Sequence, residues 1–307
     1  MIHLEPGHRI VAETVAARIH STPDKREAVD VRCSDFGSQY YVSALPEEKQ
    51  MLRVSLWVAN FQQIKDLVGE SFFSKQYSEE GTCLESPQQG YSLTVAVNLD
   101  EIPQDTEKKD ALVRKLASIK RDVVGAPLWV CFTALLNGGN PPRPYYVVET
   151  RPDEAMYVIP SKDLVVVVYS LSFENQVEQA IAKVFVQEIE IARRQRDLAT
   201  APSVTYTQEP PQELKQLKQL KLSTGAGFIG YVSLAISQRI VTDRLEKAVT
   251  LAEGYRAYLV YHVKATKSQL HTRIRSRSSN WLQVLNRAMP EKLNAEKKTI
   301  TGRTFKR

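Results

Sequence analysis

Hydrophobic and polar positions recur along this chain with two periods, one typical of strands and one typical of helices. Alternation of apolar and polar residues over short segments predicts β-strands. In the first half these segments are Ala28–Ser34, Gln39–Ala44, Leu52–Val58 and Tyr91–Val97. In the second half they are Tyr145–Thr150, Ala155–Ile159, Leu164–Ser172, Ser203–Thr207 and Tyr231–Ser237. The helical period predicts helices over Arg9–Ile19, Phe61–Gln76, Thr106–Leu136 and Glu174–Leu198.

The two halves of the chain show the same order of elements, which is a helix, three strands, a helix and a strand. Phe61 follows the run LWVAN in the first half, and Phe173 follows YSLS in the second. A duplicated α/β unit accounts for this correspondence. The sequence therefore predicts an α+β protein with two similar α/β-sandwich-like domains, whose sheets are mixed and mostly antiparallel. The predicted segments are a first domain at 1–124, a second domain at 125–240, a long C-terminal helix at 241–289 and a basic tail at 290–307.

The long C-terminal helix is the most distinctive of these elements. No proline occurs between Pro211 and Pro290, and apolar or small residues recur at steps of three and four from Leu245 to Ala288. This period is typical of an amphipathic helix, and about 48 residues at 1.5 Å per residue give a length of about 70 Å. A compact domain of a few hundred residues is much narrower than that. We therefore expect part of the helix to leave its own domain and contact another surface.

Charge is distributed unevenly between this end of the chain and the rest. Of 41 Lys and Arg and 35 Asp and Glu, the stretch 264–307 contains 12 and 2, so that 29 and 33 remain elsewhere. The body is mildly acidic and the end carries about +10, which indicates an acidic partner. A solvated helix face is the alternative explanation, but such a face usually carries both signs of charge. The near absence of acids here favours binding.

Composition and motifs argue against an enzyme. Hydrophobic content of 43% and charged content of 25% are ordinary for soluble proteins, the apolar runs are too short to span a bilayer, and three cysteines without CxxC spacing suit the cytosol. The run GAGFIG at Gly225–Gly230 precedes a predicted strand, whereas a dinucleotide site needs the opposite order. His262 and His271 lie nine positions apart, on opposite sides of the helix. We therefore predict no catalytic residue, no metal site and no cofactor.

Two classes of binding protein remain open from these observations. One is an assembly subunit that binds an acidic protein, and the other is a protein whose basic helix binds RNA, DNA or anionic lipid. The tyrosines near the basic region, Tyr255, Tyr258 and Tyr261, are spaced by three and are more typical of packing than of base stacking.

Several longer runs resemble the family of subunit 2, the large scaffold subunit, of the actin-related protein 2/3 complex. The resemblance covers essentially the whole chain. The runs that carry it include GYSLTVAVNLDEIP (Gly90–Pro103), MYVIPSKD (Met156–Asp163), YLVYHVKATKSQLHTRIR (Tyr258–Arg275), VLNRAMP (Val284–Pro290) and KTITGRTF (Lys298–Phe305).

The resemblance implies a role in branched actin-filament nucleation. Members of this family have two similar α/β domains and a long C-terminal helix, which packs antiparallel to the long helix of subunit 4 of the same complex. The two subunits form the scaffold between the two actin-related proteins and contact the side of the mother actin filament. The resemblance implies a non-catalytic protein of the cytoplasm and actin cytoskeleton, with other complex subunits as partners, no nucleic acid and no membrane span. ATP belongs to the actin-related subunits.

The resemblance also implies two sets of interface residues. The basic residues expected to face actin are Lys264, Lys267, His271, Arg273, Arg275, Arg193 and Arg194. The residues expected to pack against the partner subunit are Tyr255, Leu259, Leu270, Ile274, Trp281 and Leu285. Because Arg273 is adjacent to Ile274, some of the charges are alternatively expected to pair with acids of the partner helix. A nucleic-acid or anionic-lipid binding protein stays the alternative function.

Overall fold

The computed structural model describes residues 5–79, 81–151, 153–192, 195–198, 201–217, 220, 222, 225, 227–288, 297–298 and 304–305. The chain divides into two compact units, Met1–Val263 and Lys264–Arg307. The first unit contains two five-stranded sheets. The second contains the distal part of the longest helix and two short paired strands, β11 (Lys297–Lys298) and β12 (Thr304–Phe305).

Each of the two large sheets is built in the same way. The strands of the first are β1 (Val29–Asp35), β2 (Ser38–Ala44), β3 (Met51–Trp57), β4 (Thr82–Glu85) and β5 (Leu93–Asn98). Those of the second are β6 (Tyr146–Arg151), β7 (Glu154–Pro160), β8 (Leu164–Ser172), β9 (Ser203–Thr207) and β10 (Phe228–Ser237). The spatial orders are β1-β2-β3-β5-β4 and β6-β7-β8-β10-β9, so the last two strands exchange places in both sheets. This shared order confirms two similar α+β halves.

The helices of the first unit occupy corresponding places in the two halves. They are α1 (Arg9–Ile19), α2 (Phe61–Val68), α3 (Glu70–Gln76), α4 (Thr106–Ala117), α5 (Ile119–Val124), α6 (Ala126–Leu136), α7 (Gln176–Ala192), α8 (Gln212–Lys215) and α9 (Gln238–Val241), with 3₁₀ turns at Pro23–Lys25 and Arg196–Leu198. Helix α1 precedes the first sheet and α6 precedes the second. Both α2 and α7 follow the third strand of their sheet.

The structure differs from the predictions in five respects. All strand pairs in the described residues are antiparallel, so the sheets are not mixed. Strand β4 was not predicted. The predicted helix Phe61–Gln76 is divided at Gly69, whose φ of 86° is incompatible with a helix. The predicted helix Thr106–Leu136 is three helices, and the one predicted to reach Leu198 ends at Ala192.

One hydrophobic core includes residues of both sheets. Helix α6 lies at its centre, because it contacts α2 of the first half as well as β7 and β8 of the second. Its sequence APLWVCFTALL is apolar nearly all round, which is the pattern of a helix that is covered on every side. The boundaries proposed for the two domains at 1–124 and 125–240 therefore divide a shared core, and they stay a prediction.

Helix α10 (Leu245–Ala288) is continuous over 44 residues, as the sequence period predicts. Its buried residues end at Val263, the last residue of the first unit.

Candidate partner-binding surface on helix α10

The proximal part of α10, from Leu245 to Val263, is packed into the first unit. Tyr169 of β8 donates a hydrogen bond from its hydroxyl to the carbonyl of Ala252, and its ring lies 5.2 Å from the ring of Tyr255. Tyr255 is 7% exposed and Leu259 is 1% exposed. The chain's own core therefore covers both residues. Almost none of the surface of these two residues is left for the expected partner subunit to cover.

A buried ion pair also connects this part of α10 to the second sheet. The guanidinium of Arg256 donates to one carboxylate oxygen of Glu154 on β7, and the other oxygen accepts from the backbone N–H of Ser172 at 2.9 Å. Burial lowers the pKa of Arg256, and the charge of Glu154 opposes that shift. A buried charge is tolerated when it is paired and hydrogen-bonded, and Glu154 meets both conditions. Because its partner Arg256 is on α10, the pair joins α10 to β7.

The distal part of α10 is exposed. Every residue from Ser268 to Ala288 is exposed, and among them are Leu270, Ile274, Trp281 and Leu285, which we call the distal stripe. At about 100° per residue these four side chains fall within an arc of about 60°. Trp281 has 66% of its surface exposed, the largest fraction of any described large hydrophobic residue. The predicted interface residues that the core does not cover thus form one continuous apolar strip.

Two further apolar residues belong to this part of the helix and were missed as interface residues. Val284 is 54% exposed and lies about 60° from Trp281, next to the distal stripe. Leu282 is 64% exposed and lies about 100° away, on the other side. The helical period of the sequence predicts that Val284 lies on the apolar face, because it follows Trp281 by three positions.

The basic residues of the distal helix do not share one face. Measured around the helix from Trp281, Lys264, His271 and Arg275 lie about 80–120° to one side, which we call the first basic flank. Lys267 lies about 40° away on the same side, at the edge of the distal stripe. Arg273 lies about 80° away on the opposite side.

Arg277 and Arg287 lie on the same side as Arg273, and we call these three residues the second basic flank. The spacing of these basic residues along the sequence predicts their division into two flanks. Arg193 and Arg194, which were also expected to face actin, lie outside the described residues.

The other sequence features considered as possible binding sites, the glycine-rich run and the histidines of α10, are part of the fold in the described residues. The glycine-rich run leads into β10 and no helix follows it before α9, so it does not have the order of a dinucleotide site. The ring of His262 packs against Phe185 at 5.7 Å and against Tyr258 at 4.2 Å. The described residues contain no group of three or more potential metal ligands. Among the described helices, none is long and apolar enough to span a membrane.

These features define a class of protein, an α+β protein with two duplicated sheets and a long helix that exposes an apolar stripe between basic flanks. Long exposed helices of this kind are typical of subunits that assemble with other chains. The family model described as "Arp2/3 complex, 34 kD subunit p34-Arc" matches residues 54–292. The chain belongs to this family.

Two relatives are similar to this chain over its full length. The actin-related protein 2/3 complex subunit 2 of Schizosaccharomyces pombe is 26% identical over 324 residues, which cover all of both chains. The actin-related protein 2/3 complex subunit 2 of Dictyostelium discoideum is 30% identical over 308 residues, covering all of this chain and 99% of the relative. The resemblance of the sequence to this family is thus confirmed.

Proposed function

We propose that this chain is the non-catalytic scaffold subunit of an actin-nucleating, branch-forming Arp2/3 complex. The observation that carries the proposal is the family match, which extends from strand β3 through the whole of α10. The chain acts at the cytoplasmic actin cytoskeleton and uses no cofactor. Its partners are the two actin-related proteins and the other subunits of the complex.

The distal stripe is the proposed contact with subunit 4 of the complex. Its four large apolar side chains recur at helical spacing within a narrow arc, which suits packing against a second helix with a matching stripe. A contiguous apolar surface of this kind is rare on a protein that functions alone. Trp281 is the proposed anchor, since tryptophan is enriched among the few residues that contribute most of the binding energy of an interface.

The first basic flank is the proposed contact with the side of the mother actin filament. Lys264, His271 and Arg275 lie to one side of the distal stripe, so one helix offers separate surfaces to two partners. Each exposed ion pair contributes about 0.2–1 kcal/mol. The contact therefore needs several such pairs and weakens as salt screens them. Arg193 and Arg194 remain proposed members of this contact.

Charge reversal tests the division of the helix into surfaces. In the assembled complex, we expect Lys264→Glu with Arg275→Glu to weaken co-sedimentation with actin filaments by about 10- to 30-fold, which corresponds to losing about 2 kcal/mol. The matched control is Arg273→Glu with Arg277→Glu, which makes the same charge change on the second basic flank and should leave filament binding nearly intact.

Two results would contradict the proposal. If the first pair of substitutions prevents assembly of the complex, these residues belong to the subunit interface. If the chain binds RNA or anionic vesicles with a steep dependence of affinity on salt and does not bind filaments, the alternative function is the correct one.

A further inference from the structure

Two neighbouring cavities in the first unit share part of their walls. Their volumes are about 310 Å³ and about 340 Å³, and we call them the apolar cavity and the aromatic cavity. Phe36, Lys120, Glu253 and Ala257 line both of them. None of these residues belongs to the distal stripe or to a basic flank, so the cavities are a separate feature of the molecule.

The aromatic cavity is lined by four aromatic rings besides that of a histidine. They belong to Phe36, Tyr40, Tyr258 and Tyr261. Two of them pack against histidine rings, because Tyr40 lies 4.8 Å from the ring of His8, which also lines the cavity, and Tyr258 packs on the ring of His262 outside it. The faces of aromatic rings attract cations, and sites that bind ammonium groups are commonly built from them.

A carboxylate in the same cavity lacks a cationic partner. Glu253 forms no ion pair or hydrogen bond with another described residue. The two bases of the cavity already have partners. The ammonium of Lys120 lies 3.8 Å from Asp35, which lines the same cavity, and 5.6 Å from the centre of the Phe36 ring, whereas Arg121 pairs with Asp122 at 2.8 Å. Burial raises the pKa of Glu253, against the opposing charge of Lys120. A cation that entered the cavity would pair with this carboxylate and reduce the free-energy cost of its burial.

Phe36 occupies a position where the local fold favours a different residue. Strands β1 and β2 pair up to Asp35 and Ser38, which leaves Phe36 and Gly37 as a two-residue turn. Their φ angles are 41° and 81°, and such a turn favours Asn-Gly because the first residue also needs a positive φ. A phenylalanine in this region of φ is strained. Its side chain nevertheless stays 51% exposed at the cavities, so the turn alone does not account for it.

We propose that the aromatic cavity binds a lysine or arginine side chain of a partner protein, with Glu253 as the counter-ion and Phe36 along the aliphatic stem. The apolar cavity next to it, whose lining includes Val58, Val124 and Met156, receives an apolar neighbour of that basic residue. The site thus selects a basic residue next to an apolar one. It rests on the cavities alone and stands or falls independently of the function proposed for helix α10.

The experiment uses two small probes that differ by the terminal ammonium group, N-acetyl-lysine methylamide and its norleucine counterpart. Titration of each into the full-length chain, followed by ligand-observed NMR, gives the two dissociation constants. We expect the lysine probe to bind in the millimolar range and the norleucine probe to bind at least about 10-fold more weakly. The substitution Glu253→Gln should raise the dissociation constant of the lysine probe by about 10-fold or more, because it removes a charge-assisted hydrogen bond. Glu174→Gln is the matched control, since Glu174 is exposed and lines neither cavity.

A second variant separates binding from folding. Phe36→Asn supplies the residue that the turn favours, so we expect an unchanged or higher midpoint of thermal unfolding together with weaker binding of the lysine probe. Equal affinity for the two probes, or an unchanged affinity in Glu253→Gln, would overturn the proposal. Loss of stability in Phe36→Asn with unchanged binding would mean that the phenylalanine serves only the fold. None of these results alters filament binding by α10, so failure here is distinguishable from failure of the proposed function.

Discussion

On the proposed function, replacing Trp281 by alanine should weaken the pairing of this chain with subunit 4 by about 30-fold. A tryptophan side chain buries roughly 200 Å² at an interface, and 66% of Trp281 is exposed in the chain alone, which leaves about 130 Å² for the partner to cover. At about 25 cal/mol per Å² this area contributes about 3 kcal/mol. Ordering the side chain costs about 0.5–1.5 kcal/mol, so a net loss of about 2 kcal/mol is expected.

The assay measures the dissociation constant of the co-expressed pair of subunits by dilution, with a fluorescent label on the smaller subunit. Ser279→Ala is the matched control, because Ser279 is also exposed and lies about 160° around the helix from Trp281. We expect the control to change the dissociation constant by less than about 2-fold.

Two outcomes would refute this reasoning. If Trp281→Ala leaves the dissociation constant unchanged, the distal stripe is not the contact with subunit 4. If Ser279→Ala weakens pairing more than Trp281→Ala does, the partner packs on the opposite face of the helix.

Three further predictions concern the first unit. Glu154→Gln should lower the free energy of unfolding by about 3 kcal/mol, because it leaves Arg256 charged and buried without its counter-ion; urea titration measures the loss. Gly230→Ala should lower the same quantity by about 2 kcal/mol or more, because φ is 143° there and a Cβ would lie 2.5 Å from the carbonyl oxygen of Thr207. Glu253→Gln should stabilise the chain increasingly as the pH rises above 4.5, the ordinary pKa of a glutamate. The raised pKa of Glu253 means that the folded wild type binds this proton more tightly, so wild-type stability falls through that range, whereas glutamine does not titrate; midpoints of thermal unfolding at several pH values measure the difference.

Each of these predictions has its own control. Replacing Glu154 and Arg256 together by leucine and methionine should restore most of the stability, because no unpaired charge is then buried. Gly138→Ala, at another positive φ but with open space around it, should lower the free energy of unfolding less than Gly230→Ala does. A stability difference between wild type and Glu253→Gln that does not change with pH would contradict the raised pKa.

The strands were predictable where the local pattern was long and strongly apolar. The bounds predicted for Leu164–Ser172 and Ser203–Thr207 agree with β8 and β9. Strand β4 was missed because Thr82–Glu85 is only four residues long. It also lies at the edge of its sheet, and none of its residues is fully buried, so it lacks the alternation of apolar and polar residues that predicts a strand.

The divisions within the predicted helix Thr106–Leu136 depend on contacts that local patterns do not contain. Helix α5 ends at Gly125, where a Cβ would lie 2.9 Å from a methyl group of Val249 on α10. The glycine thus allows a residue more than a hundred positions away to approach closely. No period in the surrounding sequence indicates that approach.

The surface on α10 was predictable in its period but not in what covers it. An amphipathic pattern identifies the apolar face of a helix, and the same pattern continues from Tyr255 and Leu259 to Trp281. Only the fold distinguishes the part that the chain's own core covers from the part that it leaves exposed. The cavity at Phe36 was missed altogether, although phenylalanine before glycine, where a two-residue turn usually has asparagine, is a signal that the sequence contains.

The position of the distal stripe late in the sequence has a consequence for a copy of this chain that lacks its proposed partner. The residues up to Val263 leave the ribosome before the distal stripe does, so the unit that contains both sheets emerges first. On the proposed function, a newly made copy that finds no subunit 4 still shows an apolar strip to chaperones and proteases. If the proposed pairing is correct, we expect such copies to be removed selectively, so that the supply of subunit 4 sets the steady-state level of this chain.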